Sequence, residues 1–136
     1  MSCLAPATET APMPTYGMQR FTELKVWQLA HAWVLDVYKL SRRFPPDERF
    51  GLTSQLRRAA ASVPSNIAEG SKRRTNADYA RYLNTSESSL SEAEYHLILA
   101  RDLEYAPSNE LAGLIDTASE IGRMLHGLRT TVQARA

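Results

Sequence analysis

The C-terminal segment of the chain repeats apolar residues at intervals of three and four, and this spacing constrains the fold more than any other feature. Between residues 108 and 133 the repeating positions are Leu111, Leu114, Ala118, Ile121, Leu125, Leu128 and Val132. Such spacing places these side chains on one face of an α-helix. Because most helical stability in proteins comes from packing an apolar face, this helix needs partner helices.

Three earlier segments carry the same helical signature and are separated by short breakers. The run FPP at 44–46 ends the first, Gly70 ends the second, and Pro107 bounds the third, because proline cannot continue a helix and glycine permits a left-handed stop. The predicted helices cover residues 22–43, 52–69, 76–105 and 108–133. Four helices with short connections predict an all-α, antiparallel up-down-up-down four-helix bundle over residues 21–133.

Composition supports one ordinary domain. The 136 residues are 43% hydrophobic and 23% charged, which is typical of a globular chain. Residues 1–20 are rich in Ala, Pro and Thr, lack the features of a signal peptide, and are predicted to form a disordered tail. No apolar run is long enough for a membrane span, and the single Cys3 supports no disulfide framework. We therefore expect a cytoplasmic protein.

The first predicted helix has more apolar surface than one bundle needs. Its apolar arc covers roughly two-thirds of the circumference, whereas a bundle helix uses about three positions in seven. One side of the arc holds Leu24, Trp27, Val34 and Tyr38, and the other holds Val26, Leu29, Trp33 and Leu40. If the first side faces the subunit's own core, the second is the predicted interface of a homo-oligomer. The alternative is a monomer in which neighbouring helices or the tail cover this helix.

Charge is unevenly distributed, although the net charge is only +1. Residues 39–81 hold ten Lys or Arg against four acidic residues, and residues 82–120 hold eight acidic residues against Arg101. This asymmetry indicates a nucleic-acid surface or a charge-steered partner. The alternative interpretation is two solvated helix faces that pair with each other.

The basic residues are expected to gather most strongly at one end of the bundle. The predicted nucleic-acid-binding residues are Lys72, Arg73 and Arg74 after helix 2, Arg81 in helix 3, and Arg57 and Arg58 within helix 2. An oligomer would repeat this basic end around its axis and could bind phosphate backbones without reading sequence. The alternative for the basic run is a solvated loop.

Catalytic signatures are lacking in the sequence. A di-iron bundle needs Glu-x-x-His pairs, but Tyr95 follows Glu92 by three and Arg123 follows Glu120 by three. No phosphate-binding glycine loop, nucleophile elbow or zinc-ligand spacing occurs. We predict a non-catalytic protein with no metal and no cofactor.

Three motifs carry a family resemblance that covers about residues 21–130. They are FTELKVWQ at 21–28, ERFGLTSQLRR at 48–58 and SVPSNIAEG at 62–70. With them the chain resembles the bacterial family encoded in intervening sequences of 23S ribosomal RNA, often called four helix bundle protein.

The resemblance implies an up-down bundle that assembles as a homopentamer, with no known enzymatic activity. It also implies distant kinship with accessory proteins of diversity-generating retroelements, which bind nucleic acid and a reverse transcriptase. Two functions follow as hypotheses: RNA or DNA binding through the basic end, or a protein-interaction scaffold that docks such a partner. Within the motif at 62–70, Asn66 is expected to bond backbone freed by Pro64, and Gly70 to permit a turn.

Overall fold

A computed structural model describes residues 20–136, and this part of the chain forms four α-helices and no strand. The helices are α1 Lys25–Ser41, α2 Leu52–Ser71, α3 Asn76–Asp102 and α4 Ser108–Ala134, with 3-10 turns at Phe21–Glu23 and Pro46–Glu48. The expected tail at 1–20 lies outside the described residues except for Arg20.

The four helices pack around one apolar core, in which α1 contacts α2 and α4 and lies across the core from α3. The middle of α2 contacts the middle of α3, since Ser86 donates a buried hydrogen bond from Oγ to the Val63 carbonyl (2.8 Å) and the Ser62 and Ser89 hydroxyls lie 2.9 Å apart. The end of α1 lies beside the start of α4, where Arg43 Nη1 is 2.9 Å from Glu110 Oε2.

The prediction that Val26, Leu29, Trp33 and Leu40 form an exposed interface is wrong. Trp33 is only 1% exposed, Val26 and Leu40 are buried, and Leu29 is half-buried against the same core. The Trp33 indole donates from Nε1 to the Leu114 carbonyl of α4 at 3.0 Å. The reason is that α1 lies between two neighbours and needs a wide inward face, so this side of the arc packs within the chain.

The other side of α1 is only partly exposed, because Val34 is buried and Leu24 and Trp27 are half-buried against the core. Its apolar and aromatic residues recur at intervals of three and four and form what we call the outer stripe of α1: Leu24, Trp27, His31, Leu35 and Tyr38. Leu35 is 49% exposed and Tyr38 is 39% exposed. The exposed apolar surface of α1 is therefore limited to Leu35 and Tyr38, on the side opposite to the predicted position.

Gly70 does not terminate α2 through a left-handed conformation, because none of the described glycines has a positive φ. It lies within α2 at a close approach to α3. A Cβ at Gly70 would lie 2.7 Å from Tyr82 Cβ and 3.3 Å from the Tyr79 carbonyl oxygen. Asn66 also differs from expectation. The carbonyl that Pro64 leaves without its helical partner is that of Ala60, but Asn66 Nδ2 donates to the Ser62 carbonyl and hydroxyl (2.8 Å each). Both residues are structural.

The turn from α3 to α4 is closed by a left-handed residue. Glu104 has φ 62°, its amide donates to the Arg101 carbonyl, and the Tyr105 amide donates to the Ala100 carbonyl, each at 3.0 Å. This pattern is the Schellman motif, which satisfies the free carbonyls of a helix end.

Glu48 ties the α1–α2 connection to the α3–α4 connection. Its Oε1 accepts the Leu52 amide at 3.0 Å, and its Oε2 accepts the Tyr105 hydroxyl at 2.7 Å. The Tyr105 hydrogen bond, and then the Leu52 amide, hold the pKa of Glu48 below its ordinary value. The carboxylate thus caps one free amide at the start of α2 and holds both connections together.

We expect Glu48→Gln to lower the urea midpoint of unfolding at neutral pH. The pKa of the Glu48 carboxyl is lower in the folded protein than in the unfolded chain. Such a carboxylate stabilises the fold at pH values above its unfolded pKa, and this stabilisation is lost as pH falls through the folded pKa. The gap between wild type and variant should therefore close as pH falls from about 5 towards 3. Glu69→Gln, at an exposed position of α2, is the control and should leave the midpoint unchanged. A gap of constant size across this range would contradict the role given to the Glu48 charge.

Candidate functional site

A cationic groove lies at the connection between α2 and α3. Its volume is about 350 Å³, and it is lined by Lys72, Arg73, Arg74, Thr75 and Asp78. Lys72 and Arg74 are exposed, and Arg73 is half-buried. The local chain explains this placement, because α2 ends at Ser71 and Thr75 caps α3 by accepting the Asp78 amide at Oγ1 (3.1 Å). The three cations thus occupy the short loop between two rigid helices.

Arg73 and Arg81 share the ring of Tyr82. Their guanidinium carbons lie 5.2 and 5.1 Å from the ring centroid, a cation–π geometry. Arg73 Nε is shielded from solvent and has no hydrogen-bond partner. Arg81 also bonds to Asp78 Oδ1 at 2.6 Å, and this carboxylate raises the pKa of the guanidinium. The corner therefore holds four cations and one carboxylate, and its net charge is positive.

An aromatic row continues from the groove onto α1. Lys72 Nζ lies 6.0 Å from the Phe21 centroid, Phe21 meets the edge of Trp27 at 5.2 Å, and Trp27 stacks on His31 at 5.0 Å. Sequence reasoning missed this row. The helical spacing of four from Trp27 to His31 was the available signal, but Phe21 and Lys72 are brought together only by the tertiary fold.

Arg57 and Arg58, the predicted nucleic-acid-binding residues within helix 2, do not line the cationic groove. They lie 15 and 14 residues before Lys72 on the same helix, which is about 22 Å along its axis. Arg57 donates to the Ser41 hydroxyl (2.8 Å) and the Tyr38 carbonyl (3.2 Å), and it stacks on the Tyr38 ring. Arg57 thus fastens α2 to the end of α1, because carbonyls there have no helical partner. Arg58 is exposed on α2.

A second charged cluster joins α3 to α4. Arg129 Nε donates to Glu87 Oε1, its other nitrogens contact Gln133 and His126, and His126 Nδ1 lies 3.8 Å from Glu87 Oε2. The Arg129 and Glu87 side chains are each about one-fifth exposed. Arg129 is therefore occupied by internal contacts. In residues 20–136, no three His, Cys, Asp or Glu side chains converge in a way that could hold a metal ion.

The fold and the site together define a class: a four-helix protein that presents a cationic groove between its second and third helices. Residues 22–127 match the family model described as 23S rRNA-intervening sequence protein, and the chain belongs to this family. The chain is also similar to the crystal structure of a protein of unknown function from the S23 ribosomal protein family of Bacteroides thetaiotaomicron VPI-5482. The TM-score is 0.71 and the identity 22%, over 76% of this chain and 97% of the other.

Because the identity is only 22%, the similarity to this crystal structure shows the fold alone. No curated protein matches the sequence. No helix in the described part of the chain is long and apolar enough to cross a membrane. The match of residues 22–127 to the family model confirms the expected family.

Proposed function

We propose that this protein is a cytoplasmic, non-catalytic homo-oligomer of up-down-up-down bundles that binds the backbone of RNA or DNA through the cationic groove. The alternating helix directions are supported by contacts that join the end of one helix to the start of another, such as Gly70 of α2 with Tyr79 of α3 and Arg43 after α1 with Glu110 of α4. The homopentamer remains what the resemblance implies. A ring of copies would present several grooves together, so weak contacts at each would add.

The observation that carries the nucleic-acid proposal is the grouping of Lys72, Arg73 and Arg74 in one groove. Phosphate contacts from Lys and Arg supply most of the non-specific affinity for nucleic acid. The groove contains no arrangement for reading base edges, so we expect binding with little sequence preference.

Replacing both exposed groove cations, Lys72→Ala with Arg74→Ala, is expected to weaken binding of a fluorescently labelled oligouridine about tenfold at low salt. The slope of log affinity against log salt should fall by about 1.4, because two phosphate contacts are lost from a single strand. Fluorescence anisotropy between about 50 and 200 mM salt measures both quantities.

The matched control is Arg42→Ala with Arg58→Ala, which removes the same charge from two exposed positions outside the groove. We expect a much smaller loss for this pair. Equal losses in the two double variants would mean that net charge, and not the groove, governs binding. Absence of binding by the wild type at low salt would end the nucleic-acid proposal.

The second candidate function is a protein-interaction scaffold, and one exposed aromatic residue favours it. Phe50, in the α1–α2 connection, is 85% exposed, and the Arg49 guanidinium lies 4.8 Å from its ring centroid. Aromatic and arginine side chains are typical anchors of protein interfaces. The partner would be a reverse transcriptase, as the family resemblance implies, or another protein. A stoichiometric protein that is retained after nuclease treatment and lost in Phe50→Ser would favour this function.

A further inference from the structure

The aromatic row beside the cationic groove ends in an exposed ring. The row runs from Phe21 through Trp27 to His31. Trp27 is half-buried and packs on the core, whereas His31 is exposed. Within residues 20–136 the His31 ring makes no hydrogen bond or ion pair, and its one ring contact is the stack on Trp27, at 5.0 Å and an interplanar angle of 12°. One face of His31 thus lies on a fixed support, and the other is left for a ligand.

We propose that His31 is a stacking platform for a base of single-stranded nucleic acid whose phosphates lie in the cationic groove. This inference rests on the proposed nucleic-acid function and adds to it the form of the ligand, which is a single strand. Every base has a π-face, and aromatic side chains commonly hold unpaired bases by stacking on that face. A duplex keeps its bases stacked on one another, so it can use the groove but not the platform.

Lys72 joins the two parts of this site. It lines the cationic groove, and its Nζ lies 6.0 Å from the centroid of Phe21, the first ring of the row. The three steps of the row, 6.0, 5.2 and 5.0 Å, place Lys72 Nζ within about 16 Å of the His31 ring. An extended single strand spans about 7 Å per nucleotide, roughly twice its rise in a duplex. One short strand can therefore place a phosphate at Lys72 and a base on His31.

The surroundings of His31 suit a base. Because Trp27 is held by the core, the imidazole is already stacked before a ligand arrives, and little side-chain freedom is lost on binding. Leu35 lies one helical turn beyond His31 and is 49% exposed, so it offers the base an apolar contact on the same side of α1. Stacking and apolar contact are both tolerant of sequence, which agrees with a groove that contacts the backbone alone.

Binding of fluorescently labelled oligoadenylate by the full chain tests the platform. We expect His31→Ala to weaken this binding about tenfold in fluorescence anisotropy at low salt, because one stacked base is lost. His31→Phe should bind within about twofold of the wild type. Phenylalanine keeps a ring but cannot carry a charge, so this variant separates stacking from electrostatic attraction. A loss in His31→Phe as large as that in His31→Ala would overturn the inference.

Two ligands without accessible bases serve as controls, a blunt duplex and an abasic oligomer of the same length. Both should bind through the cationic groove, and His31→Ala should leave their affinities unchanged. Lys72→Ala with Arg74→Ala should instead weaken all three ligands, because it removes phosphate contacts. His126→Ala, the same change at an exposed histidine of α4, should leave oligoadenylate binding unchanged. Equal losses of all three ligands in His31→Ala would contradict stacking.

His31→Trp gives an optical readout of the same contact. The indole emission of this variant should be quenched by oligoadenylate and much less by the abasic oligomer, since only the first places a base on the ring. Trp33 is 1% exposed and should not respond to either. Full oligoadenylate binding by His31→Ala would overturn the inference and leave the nucleic-acid proposal intact. Absence of binding of every ligand by the wild type would overturn both.

Discussion

Trp33→Ala is expected to lower the free energy of unfolding by about 3–5 kcal/mol, the largest effect of any single change considered for this chain. The indole is 1% exposed and fills the space between α1 and α4. Its removal leaves a cavity that neighbouring side chains fill only in part. The Leu114 carbonyl also loses the indole N–H as a partner, which adds a smaller cost. Urea unfolding followed by circular dichroism measures the change.

Two controls separate the parts of this effect. Trp33→Phe retains most of the apolar volume and should cost about 1–2 kcal/mol, mainly through the lost hydrogen bond. Trp27→Ala removes a half-buried indole from the outer stripe of α1, and it should destabilise each subunit less than Trp33→Ala does. If Trp33→Ala changed only the oligomer mass and left subunit stability intact, Trp33 would belong to an interface after all.

Gly70→Ala is expected to destabilise the protein by about 2 kcal/mol. The added methyl group would lie 2.7 Å from Tyr82 Cβ, an atom fixed by the α3 backbone. Separating α2 from α3 costs about 3 kcal/mol by analogy with overpacked cores, and the better helix propensity of alanine returns about 1 kcal/mol. The shift in urea midpoint, with the slope unchanged, reports the loss.

Gly113→Ala is the matched control, because it makes the same change on α4 where nothing lies within 4 Å of the new Cβ. Only the propensity gain remains there, so we expect a stabilisation of about 0.5–1 kcal/mol. If Gly70→Ala lowers the free energy of unfolding and Gly113→Ala raises it, Gly70 is a position of close contact between α2 and α3. If both variants were more stable than the wild type, the expected clash between a Cβ at Gly70 and Tyr82 would be contradicted.

Periodicity was sufficient to predict four helices, because apolar spacing and breaker residues are local signals. It did not predict which side of α1 faces inward. Both sides carry a tryptophan and aliphatic residues, and the choice depends on where α2 and α4 lie. The burial of Trp33 is therefore determined by the packing of α1 against α2 and α4, and the sequence pattern within residues 24–40 does not contain it.

The same limit applies to the candidate site. Lys72, Arg73 and Arg74 are adjacent in sequence, so their grouping was predictable. Arg57 resembled them in residue type, but its bonds to the end of α1 depend on helix packing. Gly70 has two common uses in helical proteins, a left-handed stop and a close approach, and only the position of Tyr82 distinguishes them.

The helices differ in length in a way that shapes the whole molecule. α1 has 17 residues, while α3 and α4 have 27 each, a difference of about 15 Å in length. Since the end of α1 is level with the start of α4, the shortfall lies at the opposite pole, beside the cationic groove. Within residues 20–136, α3 and α4 therefore extend past the start of α1 at this pole, and the cationic groove lies at the α2–α3 connection there.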